Sequence, residues 1–153
     1  MSLRLLFVCL GNICRSPLAQ GYAIHHAQTL GLDLVCDSAG TSDFHEGEPP
    51  CKKIIKAALQ HGLDLSMQRS RPITRKDQDH FTHLIALDEA VAQELRRRGY
   101  IKITKLGDYG YHGACVPDPY YLTHSSDLEQ VISMVDNAVL RLLEELSLDK
   151  NLH

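Results

Sequence analysis

The chain alternates between short apolar runs and longer stretches in which apolar residues recur at helical spacing. The apolar runs predict β-strands, which are expected at residues 4–8, 32–39, 82–87 and 101–105. The periodic stretches predict α-helices, which are expected at residues 17–30, 51–61, 88–98 and 125–146. The first strand is apolar throughout, which is typical of a central parallel strand that is buried on both faces.

Four strand–helix repeats indicate an α/β fold. We expect a single three-layer domain over residues 1–153, in which helices cover both faces of a four-stranded parallel sheet. The expected fold is flavodoxin-like, with strand order 2-1-3-4. Ligands of such sheets bind beyond the carboxyl ends of the strands, so the loops that follow the strands should meet at one edge. These loops contain Cys9, residues 40–47, Asp88 and Asp118.

Composition narrows the class of protein. The chain has 153 residues and a formal net charge of −3, which favours neither nucleic acid nor an anionic membrane as partner. The apolar run at residues 5–10 is far shorter than the roughly 20 residues of a membrane-spanning helix, so a cytoplasmic location is expected. The five cysteines include no Cys-x2-Cys pair, which argues against a disulfide scaffold and against structural zinc.

Residues 8–17, Val-Cys-Leu-Gly-Asn-Ile-Cys-Arg-Ser-Pro, connect the first strand to the first helix. Cys9 lies six positions before Arg15, and Pro17 suits the first turn of a helix. A helix N-terminus and a nearby arginine favour the thiolate form of a cysteine, so Cys9 is the candidate nucleophile. The loop N–H groups, aided by the helix dipole, are expected to bind a tetrahedral oxyanion.

The expected phosphate-binding loop consists of Leu10, Gly11, Asn12, Ile13, Cys14 and Ser16, around Cys9 and Arg15. Gly11 allows close backbone approach, and Asn12 tolerates a left-handed conformation and can tie the loop with its amide. Arg15 can hold two oxygens at once, and the Ser16 hydroxyl can donate to the thiolate. The loop lacks the Gly-Lys-Ser/Thr ending of a nucleotide-binding loop, so a nucleotide is not the natural ligand.

This loop resembles the signature of the low-molecular-weight protein tyrosine phosphatases. Residues 118–121, Asp-Pro-Tyr-Tyr, match the second signature of that family. The order of the two motifs, the chain length and the strand–helix alternation also fit. The resemblance therefore covers nearly the whole chain.

The resemblance implies a phosphatase mechanism. Cys9 would attack the phosphorus of a phosphomonoester, and Asp118 would protonate the leaving phenolate and then activate water. Arg15 would stabilise the equatorial oxygens, with no metal or other cofactor. Cys14 resembles a second loop cysteine of the family, which forms a reversible disulfide with the nucleophile. The implied partners are tyrosine-phosphorylated proteins, with inorganic phosphate as the product.

Three aromatic residues are candidates for the substrate pocket. Tyr120 and Tyr121 can wall a slot for an aryl phosphate, and Phe44 occupies the position of a family rim aromatic. All three could instead be ordinary surface aromatics. Asp88 falls where the family often has an acidic residue, but it also suits the N-cap of the third helix.

Alternative functions share this fold. Arsenate reductases need a further cysteine pair after the third strand, and residues 82–98 contain no cysteine. Protein arginine phosphatases resemble this loop but carry threonine at the position of Ile13, so the comparison favours tyrosine. A phosphate-binding module without turnover would keep Arg15 but lose Cys9 or Asp118, and both are present.

Overall fold

A computed structural model describes residues 3–151 of the chain. Its strands are β1 (Leu3–Cys9), β2 (Leu34–Gly40), β3 (His83–Ala86) and β4 (Ile103–Lys105). Its α-helices are α1 (Arg15–Leu30), α2 (Lys52–Gln60), α3 (Arg75–His80), α4 (Glu89–Arg97) and α5 (Ser125–Asn151). The strands form a parallel sheet in the order β2-β1-β3-β4, which confirms the predicted fold class and strand order.

Side chains of β1 alternate between two apolar cores, one on each face of the sheet. Leu5 and Phe7 pack into the core that α1, α2 and α5 cover. Leu6 and Val8 pack into the core that α4 covers. All four side chains are fully buried. Their burial explains why the first strand is apolar throughout instead of alternating with polar residues.

Most element boundaries differ from the predicted ones by one to three residues, and β2 shows why. Gly31 ends α1 in the left-handed conformation, with φ of 69°. The Leu32 N–H then donates to the Ala27 carbonyl at 2.8 Å, which completes the helix end. Leu32 therefore belongs to the cap, and the strand begins at Leu34 instead of residue 32.

Helix α3 was not predicted from the sequence. This six-residue helix is polar on nearly all sides, so it carries no apolar period. Its signal is a capping box, in which Thr74 and Asp77 satisfy each other's backbone N–H groups. Asp77 also binds Arg71 through both guanidinium Nη atoms, at 2.9 and 3.0 Å. The helix thus anchors the irregular segment that precedes it.

The carboxyl ends of the strands bring their loops together. The Thr41 N–H donates to the Cys9 carbonyl at 2.9 Å, which joins the loops after β2 and β1. The Val116 N–H donates to the Leu87 carbonyl at 3.0 Å, which joins the long loop after β4 to the end of β3. No helix within residues 3–151 is long and apolar enough to span a membrane.

Candidate active site

Asn12 determines the shape of the loop between β1 and α1. Its backbone is left-handed, with φ of 56°, and the residue is only 2% exposed. Its Nδ2 donates to Ser16 Oγ at 2.8 Å and to Ser38 Oγ at 2.9 Å. Its Oδ1 accepts from the Arg71 N–H at 2.9 Å. One amide therefore ties the loop to α1, to β2 and to the segment before α3.

Two glycines allow neighbouring loops to approach this segment. A Cβ on Gly40 would lie 2.8 Å from the Leu10 carbonyl oxygen, closer than real Cβ contacts. The Ser42 N–H and hydroxyl donate to that same carbonyl, at 3.1 and 2.9 Å. A Cβ on Gly11 would lie 3.1 Å from the ring of His45. Gly40 is thus needed where the loops after β1 and β2 touch, and Gly11 keeps the ring of His45 close to the loop.

The Cys9 thiol receives two polar contacts and is 3% exposed. Its Sγ accepts from the Asn12 N–H at 3.2 Å and lies 3.0 Å from Ser16 Oγ. Because Ser16 Oγ accepts a hydrogen bond from Asn12, its own proton is available to the sulfur. Two hydrogen-bond donors therefore converge on Sγ.

Arg15 is 5% exposed, yet carboxylates face it on two sides. Its Nη1 donates to Asp88 Oδ2 at 2.5 Å and to the Val116 carbonyl at 3.1 Å. Burial disfavours the guanidinium charge, but Cys9 and Asp88 outweigh it and raise the pKa of Arg15. Within residues 3–151, Nε and Nη2 donate no hydrogen bond and remain for two oxygens of a ligand.

Asp88 combines the two roles that the sequence left open. Its Oδ1 accepts from the Val91 N–H at 2.8 Å, which caps α4. Its Oδ2 accepts from Arg15. The cap fixes the carboxylate, and the carboxylate fixes the guanidinium.

Asp118 lies across the cavity mouth from the loop. Its Oδ2 is 3.8 Å from Arg15 Nη2, and its side chain is 31% exposed. Its Oδ1 accepts from the Tyr120 N–H at 3.0 Å, which caps a 3-10 helix, Pro119–Tyr121. One oxygen is thus held by the backbone, and the other faces the guanidinium.

These groups surround an open cavity of about 330 Å³. Its lining contains Cys9, Leu10, Gly11, Ile13, Cys14, Arg15, Ser42, Phe44, His45, Asp118, Tyr120 and Tyr121. Phe44 and Tyr121 are 81% and 78% exposed, so they stand at the rim. The Tyr120 and Tyr121 rings meet edge to face, with centroids 5.4 Å apart. A thiol and a guanidinium lie at the floor of the cavity, and aromatic rings lie at its mouth. This arrangement suits an oxyanion that carries an aryl group.

The family model for low molecular weight phosphotyrosine protein phosphatases matches residues 4–152. The chain belongs to this family. A Bacillus subtilis relative, the low molecular weight protein-tyrosine-phosphatase YfkJ, is 34% identical, with 96% of this chain and 97% of that protein covered.

Solved structures agree with the family assignment. A crystal structure of an Entamoeba histolytica protein tyrosine phosphatase, with Hepes in its active site, matches with a TM-score of 0.90 and 35% identity. The match covers 97% of this chain and 99% of that one. A Drosophila arginine phosphatase matches with a TM-score of 0.86 and 27% identity, over 94% and 98% of the two chains. The shared fold therefore does not by itself distinguish tyrosine from arginine as the phosphoryl donor.

Cys14 in this family member faces a third thiol. Cys14 and Cys51 are the N-caps of α1 and α2, and the Cys51 N–H donates to the Ile13 carbonyl at 2.8 Å. A hydrogen bond to Cys51, together with burial, raises the pKa of Cys14. That same hydrogen bond lowers the pKa of Cys51. Cys14 therefore has a thiol neighbour besides Cys9.

The contiguous loop could be predicted from the sequence, but its distant supports could not. Ser38, Ser70 and Arg71 hold the loop from outside: the Ser70 hydroxyl, for example, donates to the Gly11 carbonyl at 3.0 Å. They are single polar residues in segments without a motif, so no sequence pattern identifies them as supports of the loop. Across residues 3–151, no group of three or more His, Cys, Asp and Glu side chains could hold a metal ion.

Proposed function

We propose that this chain is a protein tyrosine phosphatase that hydrolyses phosphotyrosine through a phosphocysteine intermediate on Cys9. The observation that carries the proposal is the convergence of Cys9, Arg15 and Asp118 on one cavity in a member of the low molecular weight phosphotyrosine phosphatase family. The substrates are tyrosine-phosphorylated proteins, and the products are the free tyrosine and inorganic phosphate.

The first step forms a sulfur–phosphorus bond. Cys9 Sγ attacks the phosphorus while Arg15 Nε and Nη2 and the loop N–H groups bind the equatorial oxygens. The Gly11 and Ile13 N–H groups donate no hydrogen bond within the described residues, so they are available for this role. Prearranged donors of this kind lower the barrier because charge builds on those oxygens in the transition state.

Asp118 completes both halves of the reaction. As the ester P–O bond breaks, its carboxyl proton passes to the departing phenolate. In the second half, the carboxylate takes a proton from water as the water oxygen attacks the phosphorus. The S–P bond then breaks, which releases phosphate and restores the Cys9 thiolate. A positioned acid of this type contributes roughly 10²–10⁴-fold.

The pocket supports tyrosine over arginine as the phosphoryl donor. Ile13 lines the cavity, where arginine phosphatases carry threonine, and three aromatic side chains surround its mouth. Apolar walls favour a phenyl ring, whereas a phosphoguanidinium needs polar partners along its length. The absence of a cysteine from residues 82–98 removes the relay that an arsenate reductase needs.

The test compares phosphotyrosine and phosphoarginine peptides, a phosphoserine peptide and arsenate as substrates. Phosphotyrosine should be hydrolysed fastest, and Cys9→Ser should lower that rate at least about 10³-fold while orthophosphate binding persists. Cys115→Ser, at an exposed cysteine, is the matched control and should keep the parent rate. Faster turnover of phosphoarginine, or phosphate binding without turnover of any ester, would contradict the proposal.

We further propose reversible redox control. Peroxide would oxidise the Cys9 thiolate to a sulfenic acid, and the Cys14 thiol would displace water to form a Cys9–Cys14 disulfide. Loss of activity that a thiol reductant reverses, with this disulfide found by peptide mass spectrometry, would support the proposal. A Cys14–Cys51 disulfide with Cys9 still reduced, or only sulfonic acid at Cys9, would contradict it.

We also propose that residues 1–153 act as one phosphatase domain in the cytoplasm. The family match over residues 4–152 supports a single domain. Size and fractionation measurements on the native protein test both statements.

A further inference from the structure

Lys53, in the first turn of α2, reaches from that helix to the segment that carries Asp118. Its Nζ donates to the carbonyl oxygens of Pro119, Tyr120 and Leu122, at 3.0, 3.0 and 2.9 Å. An ammonium group has three donors, and here all three donate to carbonyl oxygens within residues 119–122. This is a built attachment point, unlike a lysine that extends into solvent.

The attached segment sets the direction of the Asp118 carboxylate. Pro119–Tyr121 forms a 3-10 helix, and Asp118 is its N-cap. The cap bond from the Tyr120 N–H holds Oδ1, which leaves Oδ2 toward Arg15 and the cavity. Any rotation of the short helix would therefore turn the carboxylate.

Apart from the apolar packing of Pro119, which is buried, and of Leu122, which packs against the core, few contacts hold this helix. On the preceding side, the loop is fastened at Val116, whose carbonyl accepts from Arg15 and whose N–H donates to Leu87. On the following side, Lys53 is the sole side chain from outside the segment that donates to residues 119–122, as far as the described residues show. Tyr120 and Tyr121 are largely exposed and supply little packing.

We propose that Lys53 is a positioning residue that holds the short helix after Asp118, so that the carboxyl group points at the leaving-group oxygen. This inference rests on the proposed phosphatase function. Lys53 touches neither the thiol nor the phosphate site, so its effect reaches the reaction through the segment that it holds, which begins at Asp118. Its removal should affect the proton-transfer step and leave phosphate binding unchanged.

The experiment measures kcat/KM for two esters, 4-nitrophenyl phosphate with a good leaving group and phenyl phosphate with a poor one. A poor leaving group depends on the acid, so Lys53→Met should lower kcat/KM for phenyl phosphate about tenfold or more. The loss for 4-nitrophenyl phosphate should stay within about threefold. Lys53→Arg, which keeps charge and donors, should recover most of the loss.

Two controls separate positioning from a general structural effect. Lys56→Met, at an exposed lysine one turn further along α2, should keep parent rates for both esters. Orthophosphate binding by Lys53→Met should match the parent, because Cys9, Arg15 and the loop N–H groups remain in place. In an Asp118→Ala background, Lys53→Met should cause no further loss, since both changes act on one step.

The outcomes distinguish the two proposals. Suppose that Asp118→Ala is selective for phenyl phosphate. Equal losses for both esters in Lys53→Met, or additive losses in the double variant, would then overturn the positioning role of Lys53 and leave the phosphatase proposal standing. If Asp118→Ala itself shows no leaving-group selectivity, the acid assignment fails and the inference about Lys53 fails with it.

Discussion

Asn12→Ala tests how the phosphate-binding loop keeps its shape. The change removes hydrogen bonds to Ser16, Ser38 and the Arg71 N–H. Ser16 keeps its contact with Cys9, so it is not left unpaired. The Arg71 N–H is left without its acceptor, which costs about 1–3 kcal/mol.

Backbone strain adds to this loss. Alanine at φ of 56° is disfavoured by about 1–2 kcal/mol, a cost that glycine does not incur. Together with the two lost Nδ2 bonds, Asn12→Ala should lower the free energy of unfolding by about 3–5 kcal/mol. Asn12→Gly should be about 1 kcal/mol more stable than Asn12→Ala, because it removes only the side-chain bonds. Both variants should lose activity.

Urea denaturation of the parent, the two Asn12 variants and a control gives these differences directly. Thr29→Ala, which removes an exposed hydroxyl bonded to its own helix, should stay within about 0.5 kcal/mol of the parent. A loss below about 1 kcal/mol in Asn12→Ala, or equal stability of the alanine and glycine variants, would refute the reasoning.

Three further outcomes are expected. Arg15→Lys should lower kcat/KM by about 10²–10³-fold in steady-state assays, because an ammonium cannot bind two oxygens side by side; an unchanged value would contradict the role. Gly40→Ala should lower the free energy of unfolding by about 1–3 kcal/mol, because its Cβ would meet the Leu10 carbonyl at 2.8 Å; thermal denaturation measures this. Burial opposes ionisation of Asp77, but the Arg71 guanidinium holds the pKa of Asp77 below its ordinary 3.8. The difference in free energy of unfolding between the parent and Asp77→Asn should therefore be largest above pH 3.8 and should shrink at lower pH, where acid protonates Asp77 in the parent. A difference that does not change with pH would contradict this expectation.

The alternating pattern was enough to predict the parallel sheet, because buried parallel strands leave long apolar runs, and the strand order came with the flavodoxin-like fold class. It was insufficient for α3, which is short and polar and is held by Thr74 and Asp77 instead of a buried face. The loop from Cys9 to Ser16 could be predicted because its functional groups are contiguous.

Residues that support the loop from a distance could not be predicted. Ser38 reaches Asn12 from β2, and Lys53 reaches the segment after Asp118 from α2. Each is a common polar residue without a spacing signature, and its role arises only when the elements pack. The two roles of Asp88 likewise arise only when the elements pack, because its second oxygen contacts Arg15, which is 73 positions away in the chain.

Trapping the intermediate tests the central claim most directly. Asp118→Ala, mixed with a phosphotyrosine peptide and quenched in acid, should carry one phosphoryl group on the peptide that contains Cys9, because the base for its hydrolysis is absent. Mass spectrometry should locate it on the Cys9 sulfur, and Cys9→Ser/Asp118→Ala should show none. Phosphate release with no phosphoryl group on Cys9 at any quench time, or the group on another residue, would contradict the account.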